Sequence, residues 1–193
     1  MKSNITRLHS TSTPLRHRPL ALAVSAALTL GGQNIHAATI TVTGGTTDQI
    51  DDATCSLVEA IISANTDNNA AEDACVQGSG PDTIVLDGST FNFAMGLFAA
   101  DGNNALPSII SNITIQGAGS TIMRTGGPNF RLMHVASSGN LTLNNATISG
   151  GNLTGGAPGG NGSGILNNSG TLTLNNSTVS GNVTDISGKG GGI

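Results

Sequence analysis

The chain has 193 residues, of which 37% are hydrophobic, 9% charged and 2% aromatic, with 28 Gly, four Phe and no Trp or Tyr. That length fits one domain with room for a leader, and so few charges exclude a highly charged disordered chain. From residue 38 onward three basic residues (Arg124, Arg131, Lys189) stand against eleven acidic ones, a formal net of −8 that excludes a polybasic binder of nucleic acid or anionic membrane.

Residues 1–18 are polar and hold four of the seven basic residues, Lys2, Arg7, Arg16 and Arg18. An apolar run over 20–30 (LALAVSAALTL) follows, then a turn-prone GGQN and Ile35-His36-Ala37. This is the order of a secretory signal peptide. As a helix the run rises about 16 Å, too little for a bilayer core of about 30 Å. The spacing predicts a leader over 1–37 with cleavage after Ala37, and hence export. No later segment reads as membrane-spanning.

The next segment, 38–81, reads as an amino-terminal cap. Residues 39–43 (TITVT) alternate as a strand does. Ser56 and Glu59 have capping-box spacing, and Leu57, Ala60, Ile61 and Ala64 fall on one helical face. These predict a short helix over 55–65, with Glu59 as a cap residue and not a catalytic acid. Cys55 and Cys75 are the only cysteines. In an exported chain they are expected to form a disulfide, with two free thiols as the other reading. A metal site lacks a nearby His.

Residues 82–193 repeat. The stretch 139–154 (GNLTLNNATISGGNLT) matches 170–184 (GTLTLNNSTVSGNVT). Leu141 corresponds to Leu172, Leu143 to Leu174, Ile148 to Val179, and Asn144 and Asn145 to Asn175 and Asn176, a period of 31 residues. Gly164-Ile165 recurs as Gly192-Ile193, 28 residues on. Weaker copies begin at Asn112, 28 residues before Asn140, and at Asp82, 29 or so before that. Each copy holds three short period-two runs with Gly, Asn and Ser at the corners, and none has helical periodicity. This predicts an all-β fold: a parallel β-helix with three strands per coil and about four coils. Coils about 4.8 Å apart would stack Leu141, Leu143, Ile148, Ile165, Leu172, Leu174, Val179 and Ile193 as an inward ladder. The pairs Asn144/Asn175 and Asn145/Asn176 would form amide ladders outside. A narrow aliphatic interior also accounts for the scarcity of rings. The coils break off at Ile193, which reads as a truncated product or fragment whose partner would be the continuation of the helix.

These residues carry a resemblance. The run Cys55-Ser56-Leu57-Val58-Glu59-Ala60-Ile61, followed by Ala64-Asn65, Cys75 and the strand 82–86 (DTIVL), resembles the amino-terminal signature of secreted bacterial CSLREA-domain β-helix proteins. That family usually has Arg where this chain has Val58. The runs 130–135 (FRLMHV), 147–151 (TISGG) and 190–193 (GGGI) follow its pattern too. The Gly-Gly-Ile and Asn-rich repeats are similar, more loosely, to polymorphic outer-membrane autotransporter passengers. The resemblance implies a right-handed helix, a place outside the cell or on its surface or outer membrane, and an adhesin-like role. It supplies no catalytic residues.

The chemistry of the residues points the same way. A β-helix lyase needs clustered carboxylates for Ca²⁺ and a base, and a glycoside hydrolase needs facing carboxylates. The stretch 139–184 has no charged residue. Asp82 and Asp87 lie five apart and face opposite sides, with Asp82 ending a turn. Arg124 and Arg131 read as solvated surface side chains. His134 has no nearby serine or cysteine nucleophile in an activating context. Asp51-Asp52 and Glu72-Asp73 match no Ca²⁺ motif. The Gly-rich loop 150–162 is no phosphate cradle, and the Asn-x-Ser/Thr triplets follow from composition. No cofactor or metal is expected. The expected function is an exported structural or adhesin-like segment that meets carbohydrate or protein surfaces. A polysaccharide lyase or glycoside hydrolase is the alternative.

Overall fold

The computed structural model describes residues 36–50, 52–68, 74–154, 160–185 and 188–193. Contacts divide the chain into Met1–Gln33 and Asn34–Ile193, and the first unit lies outside the described residues. So does the expected leader, apart from its last two positions. The described residues form thirteen strands and one helix.

Four stacks of parallel strands make the walls of a β-solenoid. The longest wall runs β1 (Thr39–Thr41), β2 (Asp82–Val85), β4 (Asn112–Gln116), β7 (Asn140–Asn144) and β11 (Thr171–Asn175). A second wall stacks β3 (Thr90–Phe93), β5 (Thr121–Arg124), β8 (Thr147–Ser149) and β12 (Thr178–Ser180). A third pairs β6 (Met133–Val135) with β10 (Ile165–Asn167), and a short fourth pairs β9 (Asn152–Leu153) with β13 (Val183–Thr184). Three coils close and a fourth is begun, one closed coil fewer than expected. Beyond β13 the third wall is met by residues 188–193, where the Gly192 carbonyl accepts from Ile165 N.

Register follows side-chain shape. Ile84 lies over Ile115, Ile115 over Leu143 and Leu143 over Leu174, while Ile113, Leu141 and Leu172 make a parallel column. Inward positions are sealed and alternate with half-exposed Thr and Asn, as in the burial of β7. Each sealed aliphatic side chain contributes about 1.5–3 kcal/mol. Stacking Ile on Ile sets the first repeat at 31 residues (Thr83 on Thr114), where 29 was expected from the sequence. The interior also accepts rings: Phe91 tops the column Phe91–Ile122–Ile148–Val179, and Phe93 and Phe130 are buried as well. The expectation of a purely aliphatic core is corrected there.

The corner after the longest wall is turned by Asn145 and Asn176, both left-handed with φ of 51° and 47°. Asn takes that conformation more readily than other non-Gly residues. Gly117 approaches the same corner so closely that a Cβ would sit 2.5 Å from the Asn145 carbonyl oxygen.

One helix, α1 (Leu57–Thr66), packs against β1, β2 and β4. It starts two residues later than expected because Ser56 is its N-cap and is extended. The Ser56 hydroxyl accepts from Glu59 N at 3.2 Å, and the Glu59 carboxylate accepts from Ser56 N at 2.9 Å. Leu57, Val58, Ala60, Ile61 and Ala64 are all sealed. Cys55 and Cys75 are joined, with Cα atoms 4.8 Å apart. Among the described residues no helix is long and apolar enough to cross a membrane.

Candidate functional site

A polar cluster comes from a segment that the repeat does not contain. Residues 94–111 link β3 to β4 and double as the third wall of the first coil. Asn104 bridges to Arg131 and Ile109 to Val135, both in parallel. This pairing sets Asp101, Asn104 and Ser108 over Arg131 and His134.

The Ser108 hydroxyl lies 2.7 Å from His134 Nδ1 and donates to the Asp101 carboxylate. The same carboxylate is 3.7 Å from His134 Nδ1. A serine hydroxyl has one proton to give. Given to Asp101, it leaves Ser108 Oγ to accept from a protonated Nδ1. The relay therefore runs imidazole, hydroxyl, carboxylate. In an acyl-transfer triad the imidazole stands between the other two and uses both its nitrogens. Here hydroxyl and carboxylate converge on one nitrogen, so Asp101 cannot orient His134 to take the proton of Ser108. The cluster ties the linking segment to the second coil and does not activate a nucleophile.

Its electrostatics follow from burial. His134 is sealed, which holds its pKa below the usual 6.5; Asp101 works against that shift and Arg131 adds to it. Arg131 is completely buried, where a solvated position was expected. The solvated reading fails because the guanidinium has acceptors on both sides. It donates to Asp101 O (3.1 Å) and Asn104 Oδ1 (2.8 Å) in the first coil. In the third coil it donates to Gly162 O (3.0 Å) and Asn161 O (2.8 Å). Desolvation lowers its pKa below the ordinary arginine value and Asp101 opposes that. Arg124 is not freely solvated either: it donates to Gly127 O at 2.7 Å and lies 5.3 Å over the Phe130 ring.

The other sequence-marked residues fall as follows. Leu141, Leu143, Ile148 and Ile165 are sealed, whereas Leu172, Leu174 and Val179 are partly buried. Ile193, expected in the ladder, is 51% exposed in this structure. Asn175 donates to Asn144 Oδ1 at 2.8 Å, and Asn176 to Asn145 Oδ1 at 3.2 Å. Asp82 accepts from Ser79 N and from Ala38 N, both at 2.9 Å, so it joins its turn to the first rung. Its other oxygen is buried without a partner. Burial raises the Asp82 pKa above 3.8 despite those two bonds, and Asp67 raises it a little more. Asp87 is exposed and held below the usual carboxylate range, first by the Ser89 hydroxyl and then by the Ser89 amide. Asp52 is lowered in the same way by Thr54. Asp51, Glu72, Asp73 and part of the 150–162 loop lie outside the described residues. Among the described residues no three His, Cys, Asp or Glu side chains converge as a metal site.

Asp101, Asn104 and Ser108 were not marked by the sequence; Ser108 does stand beside His134, though not as an activated nucleophile. Ser108 lies 26 residues away and reaches His134 only through the pairing of one coil on the next. In comparisons with known proteins, no family model, no curated protein and no solved structure matches the chain.

Proposed function

We propose that the chain is an exported, secreted or surface-held β-helix segment of the CSLREA kind, with a structural, adhesin-like role. What carries the reading is the character of the outer walls. Leu141 and Leu172 stack inside, while Asn144 and Asn175 bond outside. Among the described residues of 139–184, the side chains are thus spent on stacking or present neutral groups, mainly hydroxyls and amides, with no charge. A rigid prism of that kind displays loops to a carbohydrate or protein surface. The Ser108–His134–Asp101 cluster has the wrong order for acyl transfer.

The full chain expressed with its leader in a bacterial host tests this. The expected result is a product beginning at Ala38, outside the cytoplasm, with Cys55 and Cys75 oxidised, that retains added polysaccharide or host protein without altering it. Retention in the cytoplasm uncleaved overturns export. Release of reducing or unsaturated sugars puts a hydrolase or lyase in its place.

A further inference from the structure

The outer face of the longest wall carries an unbroken column of threonine. Thr39, Thr83, Thr114, Thr142 and Thr173 are direct register partners from β1 to β11, five rungs without a bulge. Rungs lie about 4.8 Å apart, and the next outward position along each strand lies about 6.6 Å away. The outward side chains therefore form a two-dimensional grid. Beside the column the grid holds Thr, Asn and Gln, with Val85 as its one apolar residue and no charge. The bond from Asn175 to Asn144 at 2.8 Å fixes one flank. The second wall has a shorter column, Thr90–Thr121–Thr147–Thr178, whose flank is interrupted by Met123.

The hydroxyls of the five-rung column are unspent. Thr46, Thr66 and Thr125 bond to carbonyl oxygens and Thr54 to a carboxylate. The five hydroxyls of the column have no hydrogen-bond partner among the described residues. Thr39 and Thr173 are exposed, and the three between them are half-buried by their neighbours. Threonine is stiff at χ1, so a stacked column is already ordered and loses little freedom on binding. Each hydroxyl both donates and accepts.

We propose that this wall binds ice, holding a layer of ordered water in register with an ice face. The rung spacing is close to the repeat of oxygen atoms along a face of hexagonal ice. Ice is a neutral lattice in which every molecule donates and accepts, and neutral groups that do both complement it. A charge pressed against ice would lose hydration with nothing in exchange, and this grid has none. Other occupants are less well met. No Phe stands in these strands, and the chain has no Trp or Tyr to offer a ring face to a sugar. A protein partner needs apolar or aromatic anchors, and the exposed Met95, Leu97 and Ile110 all lie outside this wall. A second copy is opposed by the formal net charge of −8 from residue 38 onward. The inference concerns a wall and not the loops, and it stands apart from export and adhesion.

The test freezes the oxidised full chain slowly onto a cold probe beside serum albumin and measures how much of each enters the ice. Grain growth in ice held just below melting gives a second readout. The chain is expected to be enriched in the ice while albumin stays in the liquid, and to arrest grain growth. Thr114→Lys and Thr142→Lys each place a charge within the grid and should return the chain to the level of albumin. Gln49→Lys, the same charge at an exposed position off this wall, should leave the enrichment unchanged. All three positions face outward, and urea midpoints verify that the variants stay folded. Exclusion of the parent chain from ice overturns the proposal whatever the variants do. So does full ice binding by both threonine variants, or an equal loss in Gln49→Lys. Retention by microcrystalline cellulose together with exclusion from ice would give the wall to a glycan instead.

Discussion

Arg131 Nη1 stands 2.8 Å from Asn104 Oδ1, one coil away, while Nε of the same guanidinium bonds Gly162 O on the opposite side. A solenoid is otherwise held coil to neighbouring coil. This side chain spans three coils from the middle one, and its planar fork suits acceptors placed on both flanks.

Replacing Arg131 therefore does more than remove a charge. Arg131→Met leaves Asn104 Oδ1 and the carbonyls of Asp101, Asn161 and Gly162 without this donor. A loss of about 3–5 kcal/mol is expected, the usual effect of breaking a buried polar network from one side. Arg131→Lys keeps the charge without the fork and should recover only part of it. Urea unfolding midpoints of the three proteins decide the matter. Equal stability of the Met variant and the parent would show that the guanidinium holds nothing together.

His134 makes stability depend on mild acid. Its folded pKa is below 6.5, so the unfolded chain binds a proton first as the pH falls. Stability is then complete above about pH 6.5 and declines as the pH drops from there through the folded value. His134→Gln should flatten that part of the profile. Thermal unfolding from pH 7.5 down to pH 5 measures it, and an unchanged slope in the Gln variant would assign the decline to other groups.

Asp82 acts with the opposite sign. In the fold its pKa lies above 3.8, so the folded chain holds a proton that the unfolded chain has already released. That contribution is present below pH 3.8 and is lost as the pH rises through the folded value. Asp82 occupies an inward register position at the head of the column Ile113–Leu141–Leu172, which is why burial dominates. Asp82→Asn keeps an acceptor for Ser79 N and Ala38 N and removes the charge. Near neutral pH it should be at least as stable as the parent. A large loss there would mean that the carboxylate needs its charge.

These sites differ in how far they were legible. Leu141 and Leu172 sit in a 31-residue repeat whose apolar positions recur, and stacking like on like turns that recurrence directly into register. Ser56 and Glu59 needed only local spacing. Arg131 was misread because an isolated arginine is usually solvated, and nothing nearby in sequence supplies its acceptors. Those come from 101–104 and 161–162, brought in by the coils on either side. Asp101 and Ser108 belong to a linking segment that matches no other copy, so periodicity had nothing to say about them. Repetition reveals what each coil shares and conceals what one coil does alone.

The Cys55–Cys75 bridge, between residues 20 apart in sequence, closes a loop that contains α1. Such a loop contributes about 3 kcal/mol through the unfolded chain. Reduction should lower the unfolding midpoint while the strand ladders beyond β4 stay protected in hydrogen exchange. Loss of protection throughout the coils on reduction would instead make the cap the nucleus of the whole stack.

Leu141 and Leu172 are the same residue in the same register, but their neighbours differ. Leu141 is sealed between Ile113 and Leu172, whereas Leu172 has a rung on one side only and is partly exposed. Leu141→Ala opens a cavity among side chains fixed by the backbone ladder and should cost about 2–5 kcal/mol. Leu172→Ala leaves a notch open to water and should cost about 1 kcal/mol, the value of a little more than one buried methylene. Both substitutions remove the same atoms and leave the same strand propensity, so the difference measures stacking alone. Equal losses in urea unfolding would mean that strand pairing, not the aliphatic column, supplies the stability of the coil.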